Sequence, residues 1–317
     1  MALFITEGEV DRLLSFREAI EAVEEGFRLL AEGQAVNLPR RRAVVRGAVL
    51  HVLQGAVLGR YGVAGLKTYL STREGARFVV LLFDVNGGDL LAIIEADRLG
   101  QKRTGAASAV ATKYMAAGAE TLGIVGAGRQ ARSQFEALVE VVRPRLVKIY
   151  SRRREHAGDF AEFVRRRGYD AVVADDYRSV SAVDVLVTAT NAAEPFIRGE
   201  YLRPGSHINA VGSNWANRAE LTPDAVARAD VIAVDDPVQA RDEAGDLIRA
   251  GALDRAVPLA DIVAGRVRGR PDASSITLFK SLGIAVEDLV AAKAVYDKAV
   301  KEGAGREIGF SGRWAPS

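Results

Sequence analysis

A run of small residues at positions 121–131 has the composition and spacing of a dinucleotide-binding turn. The pattern predicts a strand that ends in Gly126-Ala-Gly128 and is followed by a helix that begins near Arg129. Ala131 is the third small residue of the GxGxxA pattern. Gly126 allows a tight bend, and Gly128 lets the backbone approach a pyrophosphate that the N–H groups of the helix start then face. We therefore expect a nicotinamide cofactor at this turn. The expected contacts are Gly126, Ala127, Gly128, Arg129 and Gln130.

The residues that follow the next predicted strand, Val147 to Tyr150, indicate which form of the cofactor binds. An NAD-specific site has Asp or Glu here to hold the ribose 2′-hydroxyl, whereas this chain has Ser151 and Arg152. A hydroxyl and a guanidinium suit a 2′-phosphate, because guanidinium pairs with phosphate through charge-assisted hydrogen bonds. The sequence favours NADP(H). NAD(H) remains the alternative if Arg152 is only a surface charge.

Three cations interrupt segments that are otherwise apolar. Lys67 is the charged residue of the predicted strand 63–69, Arg103 lies on an apolar helical stripe, and Arg41 opens the first strand region. In a protein that binds a hydride carrier, such cations indicate a receptor for a substrate carboxylate. His51 is the histidine expected to face the same pocket. A lone lysine or histidine in a strand is also common at sheet edges and in cores, so the residues alone leave both interpretations open.

Two architectures in succession must position these groups. Residues 7–33 have helical periodicity, and the short β-branched segments between residues 43 and 94 are separated by turn signals, which indicates an antiparallel sheet. From Thr121 onward strand-like and helical segments alternate, which predicts a Rossmann-type, doubly wound parallel sheet. The fold class is therefore α/β, with a second α+β domain. The predicted domains are residues 1–116, with a C-terminal helix at about 285–317 packing back onto them, and residues 117–284.

Composition excludes several other classes of protein. The 317 residues include 43 basic and 41 acidic side chains, and this net charge of +2 gives no strong field for nucleic acid or an anionic membrane. No apolar run is long enough to cross a membrane and the amphipathic start does not look like a signal peptide, so we expect a cytoplasmic protein. The absence of cysteine excludes disulfides and thiolate chemistry, and with 3 histidines no metal centre is expected.

Several segments form a specific combination in chain order. They are Pro39–Arg41, the Lys67 strand, Gln101–Ala109, Gly126–Gly128, Pro204–Gly212 and Phe279–Asp288. Together they resemble the ornithine cyclodeaminase/mu-crystallin family over essentially the whole chain. The resemblance implies a homodimer whose antiparallel sheet joins that of its partner, with the active site in the cleft between domains. It also implies that Arg41, Lys67 and Arg103 hold the substrate carboxylate. The resemblance further assigns the nicotinamide end to Gly212, Ser213, Ser281 and Leu282, and we add Thr104, Thr188 and Thr190 to the cofactor site.

Two departures from the family pattern separate the activities found within it. Cyclodeaminases and alanine dehydrogenases of this kind have an aspartate shortly after the Ala-Val-Gly stretch, where this chain has Asn214, and asparagine cannot act as a base at neutral pH. Cyclodeaminases also have a glutamate near the position of His51, and that carboxylate is missing. Reduction of a preformed cyclic imine requires neither group.

The sequence therefore predicts hydride transfer from NAD(P)H to the α-carbon of a small cyclic 2-imino acid, such as pyrroline-2-carboxylate or piperideine-2-carboxylate. Lys67, His51 or a water held by Asn214 would supply the proton that the nitrogen requires. Ornithine cyclodeaminase or alanine dehydrogenase activity is the alternative. A non-catalytic, NADP(H)-dependent binding protein of mu-crystallin type is a third interpretation, and the complete set of three cations argues against it.

Overall fold

The computed structural model describes residues 2–310 and residue 312 of the 317. Its strands, in chain order, are β1 Ala2–Ile5, β2 Ala35–Val45, β3 Ala48–Val57, β4 Val63–Thr72, β5 Gly75–Asp84, β6 Leu90–Glu95, β7 Thr121–Val125, β8 Leu146–Tyr150, β9 Ala171–Val173, β10 Val185–Thr188, β11 His207–Ala210, β12 Val231–Val234, β13 Ala256–Pro258, β14 Thr277–Lys280 and β15 Arg306–Ile308. Its α-helices are α1 Glu7–Leu13, α2 Phe16–Ala31, α3 Asp97–Met115, α4 Arg129–Leu138, α5 Arg154–Arg165, α6 Tyr177–Ser181, α7 Pro223–Ala227, α8 Pro237–Glu243, α9 Gly245–Arg249, α10 Leu259–Val263 and α11 Ala285–Glu302.

The chain divides into two units, which are described separately. One comprises the residues up to Arg103 and those from Ile284 onward, and the other comprises Thr104–Gly283. The division falls inside α3, which the sequence analysis assigned as a whole to the first domain. The last helix, α11, lies in the first unit. None of the described helices is both long enough and apolar enough to span a membrane.

The first unit is built on one sheet with the strand order β15-β1-β6-β5-β4-β3-β2. Strands β2 to β6 form an antiparallel meander, which agrees with the alternating, turn-separated segments of the sequence. Helix α2 begins at a capping box in which the Ser15 hydroxyl accepts from the Glu18 N–H and Glu18 in turn accepts from the Ser15 N–H. Its apolar side, with Val23 and Phe27 buried, contacts α11.

Helix α11 lies against one face of β3 and β4. The approach is close at Gly65 of β4, where a Cβ atom would lie 2.8 Å from Cδ2 of Leu289 and closer still to the carbonyl oxygen of Leu81, so the position has no room for a side chain. Because side chains alternate along a strand, Gly65 and Lys67 share this covered face. The first turn of α11 therefore brings Asp288 to the lysine.

The second unit is a parallel sheet with the strand order β13-β12-β14-β11-β10-β7-β8-β9. Chain order runs outward from β7 through β8 to β9 and then resumes on the other side of β7 at β10, so the direction reverses between β7 and β10. Ligands of such sheets bind outside the carboxyl ends of the strands at this reversal. Apolar clusters built around Phe135 and Phe160 on one side and around Leu186 and Leu278 on the other pack the sheet.

The predicted fold class is confirmed, and the elements that carry periodicity are where the sequence indicated. Helix α11 begins at the predicted Ala285 but ends at Glu302, and the strand β15 lies within the segment 285–317 that was predicted as a helix. Strand β2 begins at Ala35 rather than Ala43, because Ala35 to Leu38 also pair with β3, ahead of a shift in register. The short strands β1, β13 and β15 were not predicted.

Candidate active site

A cleft of about 680 Å³ lies at the carboxyl ends of β7, β8, β10 and β11 in the second unit. The expected cofactor residues that line it are Gly126, Ala127, Gly128, Arg129, Gln130, Ser151, Arg152, Thr190 and Gly212. The volume and the strand-end position fit a dinucleotide. Tyr150, His156, Tyr177, Asn191 and Phe196 also line the cleft, and the sequence analysis did not identify them.

The turn after β7 has the geometry that the glycine pattern implies. Gly126 has a φ of +115°, a region that residues with a Cβ rarely adopt, and its N–H donates to the carbonyl of Tyr150 at 2.9 Å. Helix α4 follows directly, with Gly128 at the N-cap position. Glycine has no side chain to occupy the N–H groups of the first turn, so those groups are suited to a pyrophosphate.

The β8 end of the cleft is cationic and aromatic. Arg152 is exposed at the cleft, whereas the nearby Arg154 is paired with Asp175 at 3.0 Å. Tyr177 packs between Tyr150 and Phe196, with ring centroids 4.4 and 4.7 Å away; its ring stacks on Phe196 and is tilted by 54° against Tyr150. A hydroxyl, a guanidinium and stacked rings are groups that can hold a phosphorylated ribose.

Five residues expected at the cofactor are not part of the cleft lining. They are Thr104, Thr188, Ser213, Ser281 and Leu282. Polar groups of these buried residues are hydrogen-bonded within the second unit. The Thr188 hydroxyl donates to Glu220 at 2.7 Å, the Thr104 carbonyl accepts from Gln134, and the Ser213 hydroxyl accepts from the N–H of Trp215. The N–H of Leu282 donates to Asp235.

The first unit contains a buried cluster of opposite charges. Nζ of Lys67 donates to Oδ1 of Asp288 at 2.7 Å, and Arg103 contacts Glu287 through Nη1 at 2.7 Å and Asp288 through Nε at 2.8 Å. Lys67 is 3% exposed and Asp288 is 0% exposed. Two of the predicted cations therefore meet, and the acidic pair at the start of α11 orients them. The sequence analysis did not assign a role to Glu287 or Asp288.

The arginine in this cluster is Arg40 and not Arg41. Arg40 is 7% exposed, and its charge helps to lower the pKa of Lys67, whereas Arg41 is exposed. The reason lies in the strand register. Arg41 is paired with Val52, and Lys67 is paired with Leu53, so the two side chains lie on opposite faces of the sheet. The pairing shifts between Leu38 and Arg41, which places Arg40 at a bulge.

The cluster places three cations, Arg40, Lys67 and Arg103, near the carboxylates of Glu287 and Asp288. Burial, and next the charge of Arg103, lower the pKa of Lys67 to about 7. A further carboxylate placed beside Lys67 would favour its protonated form.

His51 is held in a neutral form. Its Nδ1 accepts from Nε of Arg42 at 3.2 Å, its Nε2 lies 3.2 Å from the hydroxyl of Ser71, and its ring stacks on Tyr69 at 4.2 Å. Burial, with the charges of Arg42 and Arg40, lowers the pKa of His51 to about 4. Both ring nitrogens are engaged and the imidazole is uncharged at neutral pH.

Asn214 lies half-buried in the turn after β11, two residues beyond Gly212 at the cleft. The side chain at position 214 is an amide and not a carboxylate. An amide there can hold a water or a substrate nitrogen through hydrogen bonds but cannot take up a proton near neutral pH.

The chain is similar to known proteins along nearly its whole length. The model of the ornithine cyclodeaminase/mu-crystallin family matches residues 2–303. The chain belongs to this family. The family resemblance of the sequence is therefore confirmed, and the chain is an NAD(P)-dependent oxidoreductase that acts on C–N bonds.

Three members of the family illustrate its range. A Delta(1)-pyrroline-2-carboxylate reductase of Bacillus cereus is 41% identical, over 73% of this chain and 74% of its own. The archaeal alanine dehydrogenase dimer with bound NAD superposes with a TM-score of 0.93 at 33% identity, covering 98% of this chain and 99% of that one. The Delta(1)-pyrroline-2-carboxylate reductase of Thermococcus litoralis, in complex with NADH and L-proline, has a TM-score of 0.91 at 32% identity, covering 96% and 100%.

Proposed function

We propose that the protein reduces a small cyclic 2-imino acid of the pyrroline-2-carboxylate or piperideine-2-carboxylate type with NAD(P)H. The observation that carries the proposal is the buried charge cluster of the first unit, which gathers Arg40, Lys67 and Arg103 in one place. Such a group of cations is suited to a substrate carboxylate. When bound, the nicotinamide would supply the hydride for the imine carbon.

The residues of the chain perform the remaining steps of the reaction. Arg40 and Arg103 hold the carboxylate, and Lys67 in its ammonium form supplies the proton that the imine nitrogen needs as the C=N bond becomes a C–N bond. A pKa of Lys67 of about 7 suits a group that gives up and regains a proton near neutral pH. Asp288, 2.7 Å from Nζ, fixes the position of the amine throughout.

NADP(H) is the cofactor that we propose for this chain. Ser151 and Arg152 line the cleft beyond the end of β8, where an NAD-specific site has a carboxylate. The guanidinium of Arg152 would pair with the 2′-phosphate of the ribose. The glycine turn and the start of α4 would hold the pyrophosphate of either form, so NAD(H) also binds under this proposal, but less tightly.

We also propose that the protein is a homodimer that assembles through the sheet of the first unit. On the face opposite α11, Val36, Leu38, Leu50 and Leu70 are 54%, 47%, 39% and 47% exposed. Four large apolar side chains on one face of adjacent strands form a patch of the kind that marks an interface. A second copy of the same face is self-complementary.

Turnover with purified protein tests the proposed reaction. We expect NADPH-dependent reduction of pyrroline-2-carboxylate or piperideine-2-carboxylate, measured by loss of NADPH absorbance, to exceed both the amination of pyruvate with ammonia and the conversion of ornithine with NAD. Turnover of ornithine alone would contradict the interpretation of Asn214. Binding of NADPH without turnover of any of these substrates would favour a binding protein.

A further inference from the structure

Glu220 is a buried carboxylate between the turns that follow β10 and β11. Its Oε1 accepts from the N–H and the hydroxyl of Thr190, at 2.8 and 2.7 Å, and its Oε2 accepts from the N–H of Gly212 and the hydroxyl of Thr188, at 2.8 and 2.7 Å. Glu220 is 0% exposed. The side chain of Glu220 therefore links the turn after β10 to the turn after β11.

The position of Glu220 is itself fixed by a second buried group. Oδ1 of Asp246 accepts from the N–H groups of Glu220 and Leu221 at 2.6 and 2.9 Å. Oδ2 of Asp246 lies 2.8 Å from Nζ of Lys280 at the end of β14, and both residues are 0% exposed. The N–H groups of residues 196 and 197 also donate to the carbonyl of Glu220. These buried contacts hold the Glu220 carboxylate in a fixed position between the two turns.

The two turns lie on one side of the cofactor cleft. Thr190 and Gly212 line the cleft, whereas Glu220 does not. In the sheet, β10 and β11 lie on one side of β7, and β8, with Ser151 and Arg152 beyond it, lies on the other. A dinucleotide whose pyrophosphate crosses at the glycine turn has its adenosine on the β8 side, so its nicotinamide half lies on the β10 and β11 side.

We propose that Glu220 is a positioning residue for the nicotinamide half of the cofactor. It acts through Thr190 and Gly212 and fixes the distance between the turns that line this half of the cleft. The proposal deepens the cofactor site on which the proposed function rests, and it requires no particular imine substrate.

The hydrogen bonds identify a carboxylate as the group that this position requires. Each oxygen of Glu220 accepts one backbone N–H, and neither N–H can turn away as a hydroxyl can. The amide of glutamine has only one oxygen, so its NH₂ group would face an N–H of one turn. Burial raises the pKa of Glu220 and the charge of Lys280 opposes that rise. The two donors remain satisfied in either protonation state, because a carboxyl group retains an acceptor site on each oxygen.

Binding measurements with the variant Glu220→Gln test the proposal without any substrate. NADPH, or NADH if it binds more tightly, is titrated by its fluorescence, and the matching ADP-ribose, which has no nicotinamide, is titrated by competition or calorimetry. We expect the dissociation constant of the intact cofactor to rise at least about tenfold, because one buried donor loses its acceptor. The constant of the ADP-ribose should change less than about twofold, since it lacks the nicotinamide ring and most of its contacts lie at the glycine turn and on the β8 side.

Two further variants make the result decisive. Glu200→Gln is the matched control, because Glu200 is an exposed residue paired with Arg178 at 3.0 Å, and it should bind both ligands as the wild type does. If Glu220→Gln does not fold, Thr188→Val removes one of the four donors at nearly constant volume, and the intact cofactor should then bind about two- to fivefold more weakly, with ADP-ribose unchanged.

An equal loss of both ligands, or no loss of either, would overturn the proposal and make Glu220 general support for the fold. A wild-type protein that binds the two ligands equally well would also overturn it. Absence of imine turnover together with a selective loss of the intact cofactor would contradict the proposed function and leave the role of Glu220 intact.

Discussion

Replacing Arg40 by glutamine should lower kcat/KM for the imine much more than replacing Arg41 by glutamine. The two arginines are adjacent in the chain, but Arg40 is 7% exposed beside Lys67, and Arg41 is exposed on the opposite face of the sheet. The pair of variants therefore changes the same side chain at two neighbouring positions, and only one of these lies in the proposed carboxylate receptor.

The magnitude follows from the burial of the cluster. A hydrogen bond between charged groups contributes about 1.5–3 kcal/mol, so the loss of Arg40 should reduce kcat/KM about 10- to 150-fold. Arg41 lies on the other face of the sheet from the proposed receptor, so Arg41→Gln should stay within about twofold of the wild type. Arg40→Gln should also raise the pKa of Lys67, because the charge of Arg40 helps to lower it.

Initial rates with NADPH and pyrroline-2-carboxylate, over a range of imine concentrations, give kcat/KM for the three proteins. Thermal unfolding and the dissociation constant of NADPH are the controls, and both should be nearly unchanged for a variant that has lost only a substrate contact. The reasoning is wrong if Arg41→Gln lowers kcat/KM as much as Arg40→Gln does. The register of β2 against β3 would then differ from the one described.

Three other outcomes are expected. In a pH–rate profile, kcat/KM should fall as pH rises above about 7, because this constant reports on the free enzyme and Lys67 then loses its proton. The variant Lys67→Arg should not show this fall, because its guanidinium stays protonated. Arg152→Gln should weaken NADPH binding about tenfold and leave NADH binding nearly unchanged in fluorescence titrations, and equal effects would argue against a 2′-phosphate contact. Leu70→Glu should shift the protein from dimer to monomer in light scattering, since it places a charge in the apolar patch, while Glu74→Gln, exposed in the turn after β4, should not.

Local patterns accounted for much of the fold. Helix α11 and the turn at Gly126 depend on periodicity and on backbone freedom within a few residues, and both lie where the sequence indicated. The alternation of strands and helices after Thr121 gave the parallel sheet for the same reason. Lys67 and Arg103 stood out as charges within apolar patterns, and the structure brings them to the same carboxylate, Asp288.

The choice between Arg40 and Arg41 depends on how β2 pairs with β3, and a bulge between Leu38 and Arg41 shifts that pairing. Alternation within one strand cannot reveal this shift, because it arises from contacts with another strand. Asp288 reaches Lys67 from 221 residues away in the chain, and Glu220 accepts from donors of two separate turns. Burial makes such groups important by removing water as an alternative partner, and burial arises only when distant segments pack together.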